Sequence, residues 1–288
     1  MSDALNFHQR NGKYINVGGT NIFTIDQGEG EVILLLHGFF GTSYSFRKII
    51  PILSKEYRVV APDLPGLGFS EQIKEVYSHR VLADIIYKFI EKITDEKIHL
   101  VVHDYGGPIS FLMMNSHPEK VKTLTVISSF LNLTKFRFYF PLNILNKRFI
   151  GNLFGKLLST KVLRFIFNSQ FISQGSPFDE STSDDYAFLL VHGNNRSNFV
   201  KMCQCVDRTI HAQRDMELGL KKMIGGRQIL VGKQNKIISP MEVEYIKQTM
   251  RLSIANYLSG KHFLMEDSAE ECASKIEMLV NKFSSKDK

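Results

Sequence analysis

A carboxylate stands where two residue patterns meet. The run Ile98-His99-Leu100-Val101-Val102 leads through His103 to Asp104, and Ile109 to Met114 continue at helical spacing. A short β-branched run suits a strand covered on both faces. A strand that feeds a helix through so few residues makes a tight elbow, which strains its central residue and lifts that side chain clear of the sheet. Small neighbours are needed where the helix crosses, and Gly106 and Gly107 meet that need. Asp104 is therefore a candidate nucleophile. A serine alkoxide attacks acyl carbon, whereas a carboxylate attacks alkyl carbon and leaves an ester on the enzyme that water must hydrolyse. The competing reading is an Asp that only caps the helix after it.

The flanking segments supply a scaffold for such an elbow. Tyr14 to Val17, the Gly18-Gly19 turn and Ile22 to Ile25 predict an antiparallel hairpin at a sheet edge. Val32 to Leu36, Arg58 to Ala61 and Thr123 to Ser128 read as buried strands, with a helix broken by Pro51 over Phe46 to Leu53 and an amphipathic helix over Tyr77 to Ile93. Strands alternating with helices imply a mostly parallel sheet with helices on both faces. After Ser128 the alternation stops until Gln228. Leu145, Phe149, Leu153 and Leu157 recur at helical spacing. The chain is accordingly divided into a core over residues 1–129 and 218–288 and an inserted helical cap over 130–217. The second part of the core carries strands at Gln228 to Val231 and Ser253 to Tyr257, a helix from Pro240, and a last helix from Ser268 to Phe283.

At 288 residues, one large domain with an insertion is expected. Met1 to Arg10 has no apolar core of signal-peptide length, and no stretch reaches the roughly 18 apolar residues of a membrane span. A cytoplasmic chain is expected. The three cysteines form no C-x-x-C pair, so no metal or other cofactor is implied. The net charge of +7 is matched by one segment: Lys135, Arg137, Lys147, Arg148, Lys156, Lys161 and Arg164 lie between Phe130 and Phe171, with no Asp or Glu. No nucleic-acid motif accompanies them, so nucleic acid is set aside as a partner. Nine phenylalanines share that segment. They are expected to pack inside the protein, to line a dry tunnel above Asp104, or to rest on an anionic membrane.

Four ordered motifs resemble the α/β-hydrolase superfamily over nearly the whole chain, and within it the branch with an Asp nucleophile, the epoxide hydrolases and haloalkane dehalogenases. His37-Gly38-Phe39-Phe40-Gly41-Thr42-Ser43-Tyr44-Ser45-Phe46-Arg47 is similar to an epoxide-hydrolase loop. Val101-Val102-His103-Asp104-Tyr105-Gly106 looks like the dehalogenase elbow, in which a bulky residue two before the Asp is normal. Ala61-Pro62-Asp63-Leu64-Pro65-Gly66 and Gly260-Lys261-His262-Phe263-Leu264-Met265-Glu266-Asp267 match a strand-end loop and the catalytic-histidine loop. The resemblance implies that Asp104 attacks, that N–H groups of Phe39 or Phe40 and of Tyr105 form an oxyanion hole, and that His262 activates water. His37 and His103 are expected to be structural.

The resemblance departs at the third partner, because Asn235 stands where the acid is expected and Ser128-Ser129-Phe130 fills the alternative acid position. Asn235 can accept a bond from the imidazole, yet it cannot offset the charge that forms there. Losing a charge about 4 Å away costs on the order of 4 kcal/mol at an effective dielectric near 20, about a thousandfold in rate. The resemblance also implies substrate contacts from Phe39 and from a cap tyrosine, Tyr186 rather than Tyr139. The expected substrate is a small, uncharged, apolar alkyl electrophile, epoxide before haloalkane. The alternatives are a slow or inactive homologue with a binding or membrane-associated role, and an esterase or lactone-opening enzyme.

Overall fold

The computed structural model describes residues 1–138, 142–173 and 180–284. Its centre is an eight-stranded sheet: β1 (Lys13–Val17), β2 (Thr20–Gln27), β3 (Val32–Leu36), β4 (Arg58–Pro62), β5 (Ile98–His103), β6 (Val121–Ile127), β7 (Gly226–Gly232) and β8 (Asn256–Leu258), in the order β1-β2-β4-β3-β5-β6-β7-β8. The β1–β2 hairpin joins the sheet antiparallel at β4, and every other pairing is parallel. β3 and β5 are buried at every residue, as expected of strands covered on both faces; β3 is apolar throughout, and His99 of β5 is satisfied by Thr123 (2.8 Å) and Glu31 (2.9 Å).

An amino-terminal helix, α1 (Asp3–Arg10), is capped by Ser2 and buries Leu5 and His8. The short α2 (Ile50–Leu53) begins with Pro51 in its first turn, where a missing N–H is harmless. Then come α3 (His79–Ile93) and α4 (Gly106–Ser116). α4 springs directly from β5 and is buried from Gly106 to Met114, which accounts for its apolar residues on all sides.

Between β6 and β7 the described residues form no strand. They build α5 (Arg148–Leu157), α6 (Thr160–Ile166), a π-helical turn at Phe167–Phe171, α7 (Glu180–Val191), α8 (Asn195–Gln204) and α9 (Ile210–Lys222). Phe199 from α8 packs on Phe39 and Phe40, and Phe171 packs on Phe40, so this insertion lies over the loop after β3. The boundary expected at 217 falls inside α9. That helix lies against α4 so closely that a Cβ at Gly219 would sit 1.9 Å from the Phe111 carbonyl, and it therefore groups with the core by packing. The chain closes with α10 (Pro240–Thr249), α11 (Leu264–Asp267) and α12 (Ala269–Asn281).

Candidate active site

The ends of β3, β5 and β6 each pass into a residue with left-handed backbone or reach one within a few positions: Phe40 (φ 59°), Asp104 (φ 48°) and Ser128 (φ 44°). Such conformations cost about 1–3 kcal/mol each in non-glycine residues and persist only when the surroundings fix them. At Asp104 they do. Its carbonyl accepts from Gly107 N–H (3.1 Å) and the Ser129 hydroxyl (2.7 Å), and its own N–H donates to Ile127 (3.3 Å). The elbow expected from sequence is thus present, and its side chain projects into the crevice above the sheet.

The carboxylate is held at both oxygens. Phe39 N–H donates to Oδ1 at 2.8 Å, and Nε2 of His262 lies 3.2 Å from Oδ2. Burial pushes the Asp104 carboxyl up, but the hydrogen bond from His262, together with the Phe39 N–H and nearby imidazole charge, outweighs it and holds the group below its ordinary value. Gly38 lets the two loops approach: a Cβ there would lie 2.3 Å from that of Asp104. The Phe40 and Tyr105 N–H groups expected beside Phe39 make no bond to this side chain. The Tyr105 ring stacks on Phe39 with centroids 3.9 Å apart.

His262 is oriented from two sides. Its carbonyl accepts from His103 Nε2 (3.2 Å), which gives His103 the structural place expected for it. Its Nδ1 faces Asn235 Nδ2 at 3.4 Å. The carboxamide orientation is fixed by the main chain, because Asn235 Oδ1 accepts from the N–H groups of Ile237 (2.9 Å) and Ile238 (3.2 Å), while Nδ2 donates to Ser128 Oγ (3.1 Å). Sequence reasoning expects Asn235 to accept from the imidazole; the structure turns the amide the other way, with a donor toward the ring. Among the described residues, the carboxylate paired with His262 is Asp104 itself.

His37 also has a structural place. Its Nδ1 donates to the Gly38 carbonyl (2.9 Å) and its Nε2 accepts from Leu64 N–H (2.8 Å), which ties the Phe39 loop to the one after β4. In that second loop Asp63 accepts from Ser43 N–H (2.6 Å) and Phe69 N–H (2.8 Å). Burial pushes Asp63 up to about 6 against those bonds.

Residues 31–185, more than half of the chain, match the family described as alpha/beta hydrolase fold. The chain belongs to that family. It is 28% identical over 144 residues to a soluble epoxide hydrolase of Corynebacterium sp. (strain C12), a match covering 50% of this chain and 49% of that protein. It is 33% identical over 120 residues to a fluoroacetate dehalogenase of Burkholderia sp., covering 40% of each. The matches thus span half or less of these relatives. The crystal structure of Cfl2 from Burkholderia cenocepacia superposes with a TM-score of 0.82 at 20% identity over 95% of both chains, which shows the shared α/β-hydrolase fold.

Above Asp104 lies a cavity of about 590 Å³. Phe39, Phe40, Phe130, Phe136, Phe138 and Phe171 line it, with Lys135, Arg137, Lys236 and Glu242 among its polar groups. Tyr186 is not among the lining residues. Its hydroxyl donates to Glu266 (2.6 Å), a buried carboxylate that also pairs with Arg47 and with Lys48 (3.0 Å). Tyr139 lies outside the described residues. Among the described residues, the tyrosine that lines the cavity is Tyr245 of α10, whose hydroxyl pairs with Glu217 and accepts from Gln213 (2.9 Å). Sequence reasoning missed it, because α10 carries no motif of its own although it lies between the Asn235 and His262 loops. A tyrosine one turn into the helix that follows Asn235 was the available signal.

Proposed function

We propose that the protein captures uncharged apolar alkyl electrophiles, epoxides first and haloalkanes second, as an ester on Asp104, and hydrolyses that ester slowly with water activated by His262. The observation that carries this reading is the Asp104 carboxylate at the elbow, with Oδ1 on the Phe39 N–H, Oδ2 toward His262, and phenylalanine walls above. Attack by Oδ2 on an alkyl carbon forms the C–O ester bond and breaks the C–O bond of an epoxide or the carbon–halogen bond. The leaving atom departs as an alkoxide that takes a proton, or as halide. Water then adds at the ester carbonyl, and the Phe39 N–H stands where the oxyanion would form. The relative named soluble epoxide hydrolase supports epoxides as the first class of substrate.

The slow second step follows from Asn235. A neutral imidazole carries one N–H, and an amide donor against Nδ1 favours the tautomer with that proton on Nε2. Nε2 is the nitrogen that faces Asp104 and must be free to take a proton from water. Once it has done so, Nδ1–H opposes the Asn235 N–H groups. This arrangement supports a second reading, a homologue that binds without turnover. Single-turnover reaction with styrene oxide in heavy-oxygen water separates the two. The expected result is a transient adduct of the full substrate mass on the Asp104 peptide, followed by label in Asp104 and none in the first diol. Label entering the diol directly, or no adduct at any time, overturns the proposal.

A further inference from the structure

Helix α5 is turned with its small residues inward. A Cβ on Gly151 would meet the Leu145 carbonyl at 2.3 Å, and one on Gly155 would meet Val200 Cγ2 at 2.5 Å, so this face is pressed against the protein. On the opposite face Phe149, Leu153 and Leu157, spaced four apart, are 87%, 60% and 68% exposed, with Ile150 beside them. After Leu158 and Ser159, α6 adds Phe165, 74% exposed, and Val162. The helical spacing itself is as the sequence predicts, but of the four-residue stripe only Leu145 is buried. Single exposed apolar side chains are ordinary; a row of them along one helix marks an interaction surface.

Charge decides what covers it. Lys147 just before α5, Lys156 on α5 and Lys161 on α6 are exposed, and no Asp or Glu occurs between Phe130 and Phe171. Lys156 falls on the outward face of α5, because its helical position lies within about 20° of that of Phe149 at 3.6 residues per turn. A second copy seated by two-fold symmetry would bring these lysines against their own counterparts, which like-charge repulsion disfavours. An anionic lipid leaflet offers the opposite charge together with an apolar layer deep enough for the phenylalanines.

We propose that the outer face of α5 and α6 is a peripheral membrane-contact surface. Its apolar side chains enter the boundary between headgroups and acyl chains of an anionic leaflet, and its lysines remain among the headgroups. The proposal is independent of the chemistry at Asp104 and is tested by binding alone. The full chain is co-sedimented with phosphatidylcholine vesicles, with and without about one-third phosphatidylserine. The expected result is partition onto the anionic vesicles only, weakened at 1 M salt, where the screening length falls to about 3 Å. Phe149→Glu with Leu153→Glu should lower the partition at least tenfold, and Lys156→Ala about fivefold. Both positions face outward, so circular dichroism should show the variants folded. Equal partition of the folded double variant, no partition of the native chain, or a native dimer that the double variant splits would each overturn the proposal.

Discussion

The amide nitrogen of Asn235, not its oxygen, faces Nδ1 of His262, at 3.4 Å. Asn235→Asp keeps an oxygen for the N–H groups of Ile237 and Ile238 and puts a second, anionic oxygen against Nδ1. The Ser128 hydroxyl, now an acceptor, can rotate to donate. The proton should then sit on Nδ1, with Nε2 free as a base. The ester on Asp104 should disappear up to about a thousandfold faster, corresponding to on the order of 4 kcal/mol at an effective dielectric near 20. Decay of the adduct mass after rapid removal of substrate measures this. A folded variant with unchanged decay would show that Asn235 is not the vacant acid position.

Gly38→Ala tests the other side of the carboxylate. The added methyl would come within 2.4 Å of Asp104 Oδ1, so the loop or the carboxylate must shift and the Phe39 N–H bond is lost. Losing one such donor costs about 10²–10³ in rate, and overpacking of this kind costs about 1–3 kcal/mol of stability. Decay of the adduct mass after removal of substrate and thermal unfolding are the two measurements. Adduct decay at the native rate would rule out a role for the Phe39 N–H.

Tyr186 bonds Glu266 and does not line the cavity above Asp104. Tyr186→Phe should lower unfolding free energy by about 1–3 kcal/mol, because it deletes one bond to a buried carboxylate, and should leave Asp104 labelling within about threefold. Glu266→Ala should cost more, about 3–5 kcal/mol, since it leaves Arg47 without its buried partner. Denaturant unfolding ranks the two. A hundredfold loss of labelling in Tyr186→Phe would return that hydroxyl to the chemistry.

The parts of this site that could be read in the sequence are those encoded within a few residues. β3 announces itself by an unbroken apolar pattern and β5 by a short β-branched run interrupted by His99, and the elbow follows because a helix pattern begins at once after Asp104. Asn235 could be placed but not oriented, since its amide is turned by main-chain groups whose geometry exists only in the folded loop. Tyr186 meets Glu266 across 80 residues, a pairing no local pattern encodes. Periodicity fixed the angular position of the α5 stripe and left open which side faces protein; Gly151 and Gly155, four apart opposite the stripe, carried that information. Residue 217 falls inside α9, a helix of ordinary composition whose contact with α4 exists only in the folded chain.

Acid should unfold this protein through its buried histidines. Burial lowers His8 and His103 to about 3, and His37 and His79 to about 4. Each folded value lies below the unfolded one near 6.5, so on acidification the unfolded chain takes up protons that the folded chain refuses, and stability falls with pH below about 6.5. Asp63 opposes this with one proton, because its folded value, about 6, lies above that of an exposed carboxyl. Four protons against one leave a slope of about 4 kcal/mol per pH unit between pH 6 and 4. A stability of about 5–15 kcal/mol would be exhausted within a few units. His37 links this loss to the site, since protonation removes the acceptor for Leu64 N–H that anchors the loop carrying Phe39. Urea unfolding at pH 7 and pH 5 should therefore show a large fall in midpoint, with Asp104 labelling lost in step. Equal midpoints at the two pH values would mean that these imidazoles are solvated and titrate normally.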